Sequence, residues 1–268
     1  MKLARPEFVP DPSLSRAEME SLQREVAAAA DFSDDLSFDP ATVSLSASSL
    51  VPDEDRPLVA GVDQAFLDDH AVSAVVVLRG GEVVERAHAV SELSIPYIPG
   101  LLSFREGGPI LDAVAELDCE PELFVFDGSG RIHFRQAGLA THMGVILDTP
   151  AIGVAKSLLC GEPRESVDER PEGWRTPVVA ADGVEPRECD VETDTSDGDG
   201  FADTVVGYAY QSRQYSNSKK INPLYVSPGH RVSAETTVDL VARLGGDYKL
   251  PEPTRLADSY ADEVKRDY

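Results

Sequence analysis

The chain has 268 residues, 42% of them hydrophobic, and its 48 Asp and Glu against 24 Lys and Arg give a formal net charge of −24. No apolar run approaches the ~20 residues that span a bilayer, and the first residues lack the apolar segment of a secretion signal, so we expect a cytoplasmic protein without a membrane partner. Its three cysteines contain no C-x-x-C pair, which argues against a disulfide framework and a zinc knuckle.

The acidic charge, taken alone, argues against a nucleic-acid partner, because phosphates attract basic surfaces. A salt-rich cytoplasm offers another cause. An acidic surface keeps a protein hydrated there, and the Debye length falls to ~3 Å near 1 M salt. We favour this halophilic interpretation, under which local residues rather than net charge decide the partner.

The first part of the chain predicts a helix, an extended arm and three strands. Ser15 and Glu18 form the S-x-x-E pattern of a capping box, so we expect an N-terminal helix and an extended arm within residues 1–57. A buried strand follows over residues 57–66, and two β-rich runs flank Gly80-Gly81, a pair typical of hairpin turns. These three strands predict an antiparallel meander.

The next segment, IPYIPGLLSFREGGP at 95–109, combines apolar side chains with prolines that a core strand excludes. Helical spacing from Pro109 predicts a helix that starts there, with Glu106 at its start. Strands ending at Asp127 and near residue 155 alternate with a helix over 137–147, and this β-α-β rhythm requires parallel pairing.

The remaining chain predicts a surface insertion and a further helix. Residues 161–204 are acidic and turn-rich, so we expect an insertion on the surface. Its DTSDGDG run lacks the twelfth-position glutamate of a calcium loop, since Val205 stands there. A helix is predicted from Ser233 to Gly245. The whole predicts one domain over 1–268: an α/β, ribonuclease-H-like fold with a mixed five-stranded sheet, the meander plus parallel strands, and helices on both faces.

Three acids are expected to meet at one sheet edge. Asp63 lies in the first strand and Asp127 ends the fourth, and the side chain of Glu106 can reach them from the start of the helix. Converging carboxylates repel one another unless a cation lies among them, and oxygen ligands suit Mg²⁺ or Mn²⁺. Such a site predicts metal-assisted phosphodiester hydrolysis.

Six motifs carry a specific resemblance, and they occur in order between residues 58 and 260. They are AGVDQAF, PYIPGLLSFRE, VFDGSGRIHFRQAGLATHMGV, PAIGVAKSLLCG, NPLYVSPGHRVS and LPEPTRLADS. Together they resemble the endonuclease V family. The resemblance implies a Mg²⁺-dependent deoxyinosine repair endonuclease that cuts the second phosphodiester 3′ to the lesion and leaves 3′-hydroxyl and 5′-phosphate ends.

The resemblance also assigns residues. It implies that Asp63 and Asp127 are metal ligands and Glu106 the third acid. It places His230 near the metal site as a catalytic residue, and Asp258 near the same site. It implies further that Lys156 lies beside the scissile strand. His70, His88 and His142 are expected to be structural. Two departures stand out, because the family usually has histidine at Ser129 and proline at Phe134.

The proline-rich loop suits a wedge that fills the gap left by an extracted base, and extraction costs a few kcal/mol. The resemblance gives the DNA contact to Tyr97, with Pro99 beside it. Backbone groups of Gly100, Gly128 and Gly130 are expected to read the edge of hypoxanthine, whose N1–H and O6 reverse the pattern of adenine.

Basic residues near the motifs are expected to contact phosphates despite the net charge. They are Arg105, Arg131, Arg135, Lys156, Arg213, Lys219, Lys220 and Arg231. We expect a monomer that binds deoxyinosine-containing DNA. An inosine-specific ribonuclease with the same site, and a protein that binds deaminated bases without cutting, remain open alternatives.

Overall fold

The computed structural model describes residues 1–46, 52, 55–181, 183–191, 201–214 and 221–268. Its helices are α1 Arg16–Ala29, α2 Leu102–Ala115, α3 Leu139–Leu147, α4 Glu188–Val191, α5 Ala234–Arg243 and α6 Glu252–Lys265. Its strands are β1 Leu58–Phe66, β2 His70–Arg79, β3 Glu82–Glu92, β4 Leu123–Asp127, β5 Ala151–Ala155, β6 Glu162–Pro163, β7 Arg175–Val179, β8 Val205–Tyr210 and β9 Leu224–His230.

The described strands form one nine-stranded sheet in the order β3-β2-β1-β4-β5-β9-β8-β7-β6. The first five in this order are the sheet expected from the sequence: an antiparallel meander, with β4 and β5 added in parallel. The ribonuclease-H-like α/β class is confirmed, but the strand number was wrong. Strands β6–β9 pair antiparallel beyond β5 and nearly double the sheet.

Segment 161–204, expected as a surface insertion, supplies two of those extra strands. Val178 in β7 is fully buried and packs with Ile132 and Val206. The alternation of buried and exposed residues covers only a few positions of β7, so the acidic surroundings hide it in the sequence. The calcium-like run at 194–200 lies outside the described residues.

Helices cover both faces of the sheet because alternate strand residues point to opposite sides. Val62 and Phe126 pack with Ile110 of α2 and Met143 of α3. On the other face, Val59 and Val125 belong to the cluster that contains Val238, Leu240 and Val241 of α5. Among the described residues, no helix has the length and hydropathy to cross a membrane.

The start of α2 differs from the expectation. The helix begins at Leu102, so Pro109 lies inside it and Glu106 falls in its second turn rather than at its start. Proline inside a helix removes one backbone hydrogen bond. Burial at helical spacing already begins at Phe104 and continues through Leu111 and Val114, and this packing offsets the loss.

Helix α6 was not predicted as an element, although its first residues belong to a recognised motif. Its start lies directly on β1, where a Cβ at Gly61 would come within 2.0 Å of the Pro253 backbone. Only glycine permits this approach. It places Asp258, little more than a turn further along α6, at the edge of the cavity described below.

Candidate active site

Asp63, inside β1, and Asp127, the last residue of β4, lie side by side on two neighbouring parallel strands. The register pairs Val62 of β1 with Phe126 of β4, so the next position on each strand is an aspartate. Both line a cavity of about 520 Å³, together with Glu106 of α2, Lys156 after β5 and Asp258 of α6. The structure therefore gathers four acids and one lysine at this edge of the sheet.

The surroundings of Asp63 penalise a negative charge. The side chain is buried, and burial together with the nearby charge of Asp127 raises the pKa of Asp63 to about 8. Its Oδ1 accepts a 2.7 Å hydrogen bond from the Gln64 backbone N–H, whereas its buried Oδ2 has no partner among the described residues. An unpaired buried carboxylate oxygen is costly, so this atom suits a ligand that is supplied from outside the chain.

Two basic side chains pair with two of the other three acids, Asp127 and Glu106. Lys156 Nζ lies 2.7 Å from Asp127 Oδ2. Arg105 Nη1 lies 3.1 Å from Glu106 Oε1, and the Arg105 guanidinium also covers the Phe66 ring at 4.5 Å. Burial raises the pKa of Glu106 to about 7, although Arg105 opposes this shift.

The donor set agrees with a hard divalent cation in its chemistry. Asp63 and Asp127 offer carboxylate oxygens, and one of them, Asp63 Oδ2, is buried and unpartnered. Within the described part of the chain, no three His, Cys, Asp or Glu side chains are grouped closely enough to hold an ion on their own. Mg²⁺ is commonly held by one or two carboxylates, with water and substrate phosphate as the remaining ligands, so two aspartates suffice.

The wedge loop, residues 96–100, projects from the cavity rim. Tyr97 is 62% exposed and lines the cavity, and Pro99 is exposed. Gly100 ends the loop with φ +80°, a conformation that favours glycine. Phe134, the departure noted above, packs onto this glycine, since a Cβ there would lie 3.1 Å from its Cδ2.

The glycine backbone groups expected to read the base are largely used within the protein. Gly100 O accepts from Gln23 Nε2 at 2.9 Å and from His133 Nε2 at 3.1 Å. Gly130 donates to Ser227 Oγ at 2.9 Å, and its carbonyl accepts from the Gly138 backbone. Gly128 N–H donates to Val154 O. The expectation of free glycine groups was therefore wrong for these atoms, because neighbouring loops needed the same donors and acceptors.

His133 is a neutral structural histidine in this network. Its Nδ1 accepts from the Arg135 backbone N–H at 3.2 Å, so its Nε2 carries the proton that Gly100 O accepts. Complete burial lowers its pKa to about 3. The sequence contained this residue within a motif but gave no sign of its partner, which lies 33 positions earlier.

His230 lies away from the cavity. Its ring is buried between the Asp31 backbone N–H, 3.1 Å from Nδ1, and Asp148 Oδ1, 3.2 Å from Nε2. It pairs with Ala151 at the start of β5, whereas the cavity lies at the end of that strand. The structure does not bring this predicted catalytic histidine to the carboxylates. Its observed contacts instead tie the N-terminal arm to β9.

Most of the predicted phosphate contacts are engaged in internal ion pairs. Arg131 and Arg135 are almost buried, and Arg213 and Arg231 pair with aspartates. Lys219 and Lys220 lie outside the described residues. Lys156 remains half-exposed beside the acids. His142, expected to be structural, is buried and bonds Phe8 O at 2.8 Å.

Comparison with known proteins gives one consistent result. The family model described as endonuclease V matches residues 43–259. An endonuclease V from the halophile Natronomonas pharaonis is 62% identical over 268 residues, which cover all of this chain and 99% of that protein. The crystal structure of endonuclease V from Streptomyces avermitilis is 31% identical, with a TM-score of 0.73, and covers 98% of this chain and 97% of that one.

A further structure shows a relative with nucleic acid. It contains endonuclease V from Ciona intestinalis in complex with a 24-mer DNA carrying an inosine followed by a ribo-adenosine. That protein is 26% identical, with a TM-score of 0.66, and the match covers 94% of this chain and 98% of that one.

Proposed function

The chain belongs to the endonuclease V family and is a nuclease, and on this premise we propose that it cuts DNA containing deoxyinosine at the second phosphodiester 3′ to the lesion. The products are 3′-hydroxyl and 5′-phosphate ends. The observation that carries the proposal is the register of β1 and β4, which sets Asp63 beside Asp127 in a cavity that also contains Tyr97. The same cavity thus contains the aspartates proposed for phosphodiester hydrolysis and the tyrosine proposed as the wedge.

In this proposal Asp63 and Asp127 hold Mg²⁺, with Mn²⁺ as a substitute, and Glu106 is the third acid. The bound ion would polarise the scissile phosphate and stabilise the charge on the leaving oxygen. Lys156 Nζ donates to Asp127 Oδ2, so a cation bound at that oxygen would compete with the ammonium for it. An ammonium released from Asp127 would lie beside the phosphate, where its positive charge would stabilise the negative charge that develops in the transition state.

Glu106 has a different task. Arg105 fixes one of its oxygens, and the carboxyl group faces the cavity. The second oxygen can accept a proton from the attacking water. Glu106 lies in the second turn of α2, and this helix begins just after the wedge loop. The residue that would activate the water is therefore close in the chain to the loop that would extract the base.

In this proposal the wedge loop contributes to recognition by occupying the place of the base that leaves the stack. Tyr97 projects into solvent and can fill the space of an extracted base, while Pro96 and Pro99 restrict the backbone before binding. Because Gly100 and Gly130 use their backbone groups internally, reading of the hypoxanthine edge falls to other atoms of the cavity. Ser129, which lines it, is one candidate.

An inosine-specific ribonuclease is a second candidate function. The Ciona intestinalis complex contains a ribo-adenosine directly after the inosine, so that relative accommodates a ribose there. In this chain the same cavity serves either sugar. The binding-only alternative is set aside, because the family's members are named as endonucleases.

The test is a nicking assay on end-labelled duplexes that differ only in one base: inosine, adenine or guanine. We expect a cut one nucleotide beyond the inosine with Mg²⁺ or Mn²⁺ and no cut in EDTA. DNA ligase should reseal the nick, which reports the ends. RNA and ribo-substituted strands run in parallel decide between the two candidates.

Asp127→Asn should abolish nicking, whereas Asp262→Asn, an exposed aspartate of α6, should not. Equal cleavage by the wild type and Asp127→Asn in saturating Mg²⁺ would refute the assignment of this site.

A further inference from the structure

A second exposed tyrosine lies on the loop that leads into α6, one position before Lys249, which is near the cavity-lining Lys156. Tyr248 is 57% exposed, a fraction close to that of Tyr97. The Arg255 guanidinium covers its ring at 4.8 Å and is held there by Glu252 Oε2, 2.8 Å from Arg255 Nε. The pair forms a stacking surface whose aromatic side remains largely open to solvent.

The Tyr248 loop, residues 246–250, is fixed at several points although it lies on the surface. An antiparallel bridge joins Gly245 to Pro251 at its base. Ser212 Oγ donates to Lys249 O at 2.6 Å, and Arg213 Nη2 donates to Gly246 O. Fixing an exposed loop in this way reduces the entropy lost when the loop binds a partner.

The Tyr248 loop and the wedge loop lie on opposite faces of the sheet. Side chains of β1 alternate, so Asp63 points to the face of Gly61, which α6 covers. Val62 points to the face of α2, the helix that follows the wedge loop. The cavity therefore receives residues from both faces of the sheet, Asp258 from α6 on one side and Glu106 from α2 on the other.

Charge on the α6 side also suits a phosphate. Lys249 is half-buried, and burial, together with the positive charge of nearby Lys156, lowers its pKa. Lys156 is paired with Asp127, so an anion beside Lys249 would reduce the remaining repulsion between the two lysines. Asp258, which also lines the cavity here, limits the number of anions that this side accepts.

We propose that the Tyr248 loop is a second nucleic-acid docking element, in which Tyr248 stacks on a base of the cleaved strand on the 3′ side of the scissile phosphate and Lys249 contacts the adjoining phosphate. The direction of the bound strand in this inference rests on the proposed function. If the wedge loop holds the lesion and the cut lies 3′ to it, the strand continues across the sheet edge toward α6. Stacking on an aromatic side chain is tolerant of base identity, so this element adds affinity rather than sequence preference.

The first test varies the length of the strand beyond the cut. Inosine-containing duplexes with either ten nucleotides or one nucleotide 3′ of the cut are compared for KM and kcat. For the wild type, truncation should raise KM about tenfold, the effect of one lost base stack. Tyr248→Ala should raise KM by a similar factor on the long substrate, leave kcat unchanged, and show no further loss on truncation.

Two controls separate stacking from a structural effect. Tyr248→Phe retains the ring and should behave as the wild type. Arg16→Ala, which removes an exposed charge on α1, should respond to truncation as the wild type does. Equal sensitivity to truncation in the wild type and Tyr248→Ala would overturn the inference.

A second measurement does not depend on cleavage. With 2-aminopurine as the second base 3′ of the predicted cut, a base that the truncated substrate lacks, binding by Asp127→Asn should quench its fluorescence, and the added Tyr248→Ala should abolish this quenching. Quenching without any nicking by the wild-type enzyme would retain the docking element and reject the proposed function. Nicking without Tyr248-dependent quenching would reject the docking element alone.

Discussion

Gln23 joins the N-terminal helix to the base of the wedge loop. Its Nε2 donates a 2.9 Å hydrogen bond to Gly100 O, and its Oε1 accepts one of 2.8 Å from Arg135 Nε. The Gln23 side chain is completely buried. Nearby on α1, Met19 packs with Leu101, at the end of the loop, and with Phe104 of α2. Because α1 precedes the residues that match the family model, 43–259, a segment outside that match supports the candidate recognition loop.

Gln23→Leu should therefore impair recognition as well as stability. Loss of the two hydrogen bonds leaves buried polar groups with fewer partners, at a cost of about 1–3 kcal/mol. We expect a fall in the melting temperature of ~2–12 °C, at roughly 2–4 °C per kcal/mol for a chain of this size. Nicking of inosine duplexes should fall further than the unfolded fraction explains, as measured well below the melting temperature.

The neighbouring variant Ser21→Ala, on the exposed side of α1, is the control and should change neither quantity. A Gln23→Leu enzyme with lower stability but unchanged duplex nicking would show that the helix supports the fold and not the wedge.

Tyr97→Ala should reduce cleavage of inosine in duplex DNA more than in single strands. The exposed ring has a task only where a stack must be opened, and opening costs a few kcal/mol. We expect about a tenfold or larger loss of kcat/KM on the duplex and a smaller loss on the single strand. An equal loss on both substrates would mean that Tyr97 contacts the strand without acting as a wedge.

The sequence predicted those parts of the fold that depend on local pattern. Gly80-Gly81 marked the hairpin between β2 and β3, and the aspartates Asp63 within one apolar strand and Asp127 at the end of another marked the sheet edge where the acids meet. It failed where burial depends on distant partners. The helical pattern was taken from Pro109 onward, so the turns of α2 that precede it were missed, and the short strands β6 and β7 become recognisable only once their partners β7 and β8 are beside them.

The candidate site shows the same division. Asp63, Asp127, Glu106 and Lys156 were predicted from motifs and do line one cavity. Gln23 was not, because a glutamine on the buried face of an amphipathic helix has no distinctive pattern. His230 was placed at the metal by resemblance alone, whereas the fold surrounds it with Asp31 and Asp148 at the other end of β5.

Asp63→Asn should stabilise the metal-free protein at neutral and alkaline pH. The folded-state pKa of Asp63 is about 8, while its ordinary value is 3.8. The folded protein therefore retains a proton that the unfolded chain loses, and stability falls as the pH rises from about 4 to about 8. Below this window the group is protonated in both states and costs nothing.

The variant removes this pH dependence. Each pKa unit of such a shift corresponds to about 1.4 kcal/mol, so we expect a gain of at least ~1.4 kcal/mol at pH 8, or about 3–6 °C in melting temperature. Melting curves in EDTA between pH 4 and 9 measure it, and Asp262→Asn serves as the exposed control. Added Mg²⁺ should stabilise the wild type more than Asp63→Asn. A wild-type melting temperature that does not fall between pH 4 and 8 relative to Asp63→Asn would contradict the burial argument.

Salt dependence tests the interpretation of the charge of −24. Affinity for DNA falls steeply with salt, roughly as the 0.9Z power for Z phosphate contacts, because bound counterions are released. Since most arginines near the motifs are engaged in internal ion pairs, few phosphate contacts are available to be weakened. Recognition then depends on stacking by the wedge, on the base cavity and on direct contact between metal and phosphate, which salt affects less.

The acidic surface adds an effect of the opposite sign. At low salt it repels DNA and destabilises the compact fold by self-repulsion, whereas near 1 M salt the screening length shrinks to ~3 Å and both penalties diminish. We therefore expect the nicking rate and the melting temperature to rise together as KCl increases from 0.1 M to the molar range, as would suit a relative of the Natronomonas pharaonis enzyme. One preparation measured from about 0.1 to 3 M KCl decides the point. If both quantities fell steadily across this range, adaptation to salt would be rejected as the cause of the acidic surface, and the paired arginines would have to release their partners in order to bind DNA.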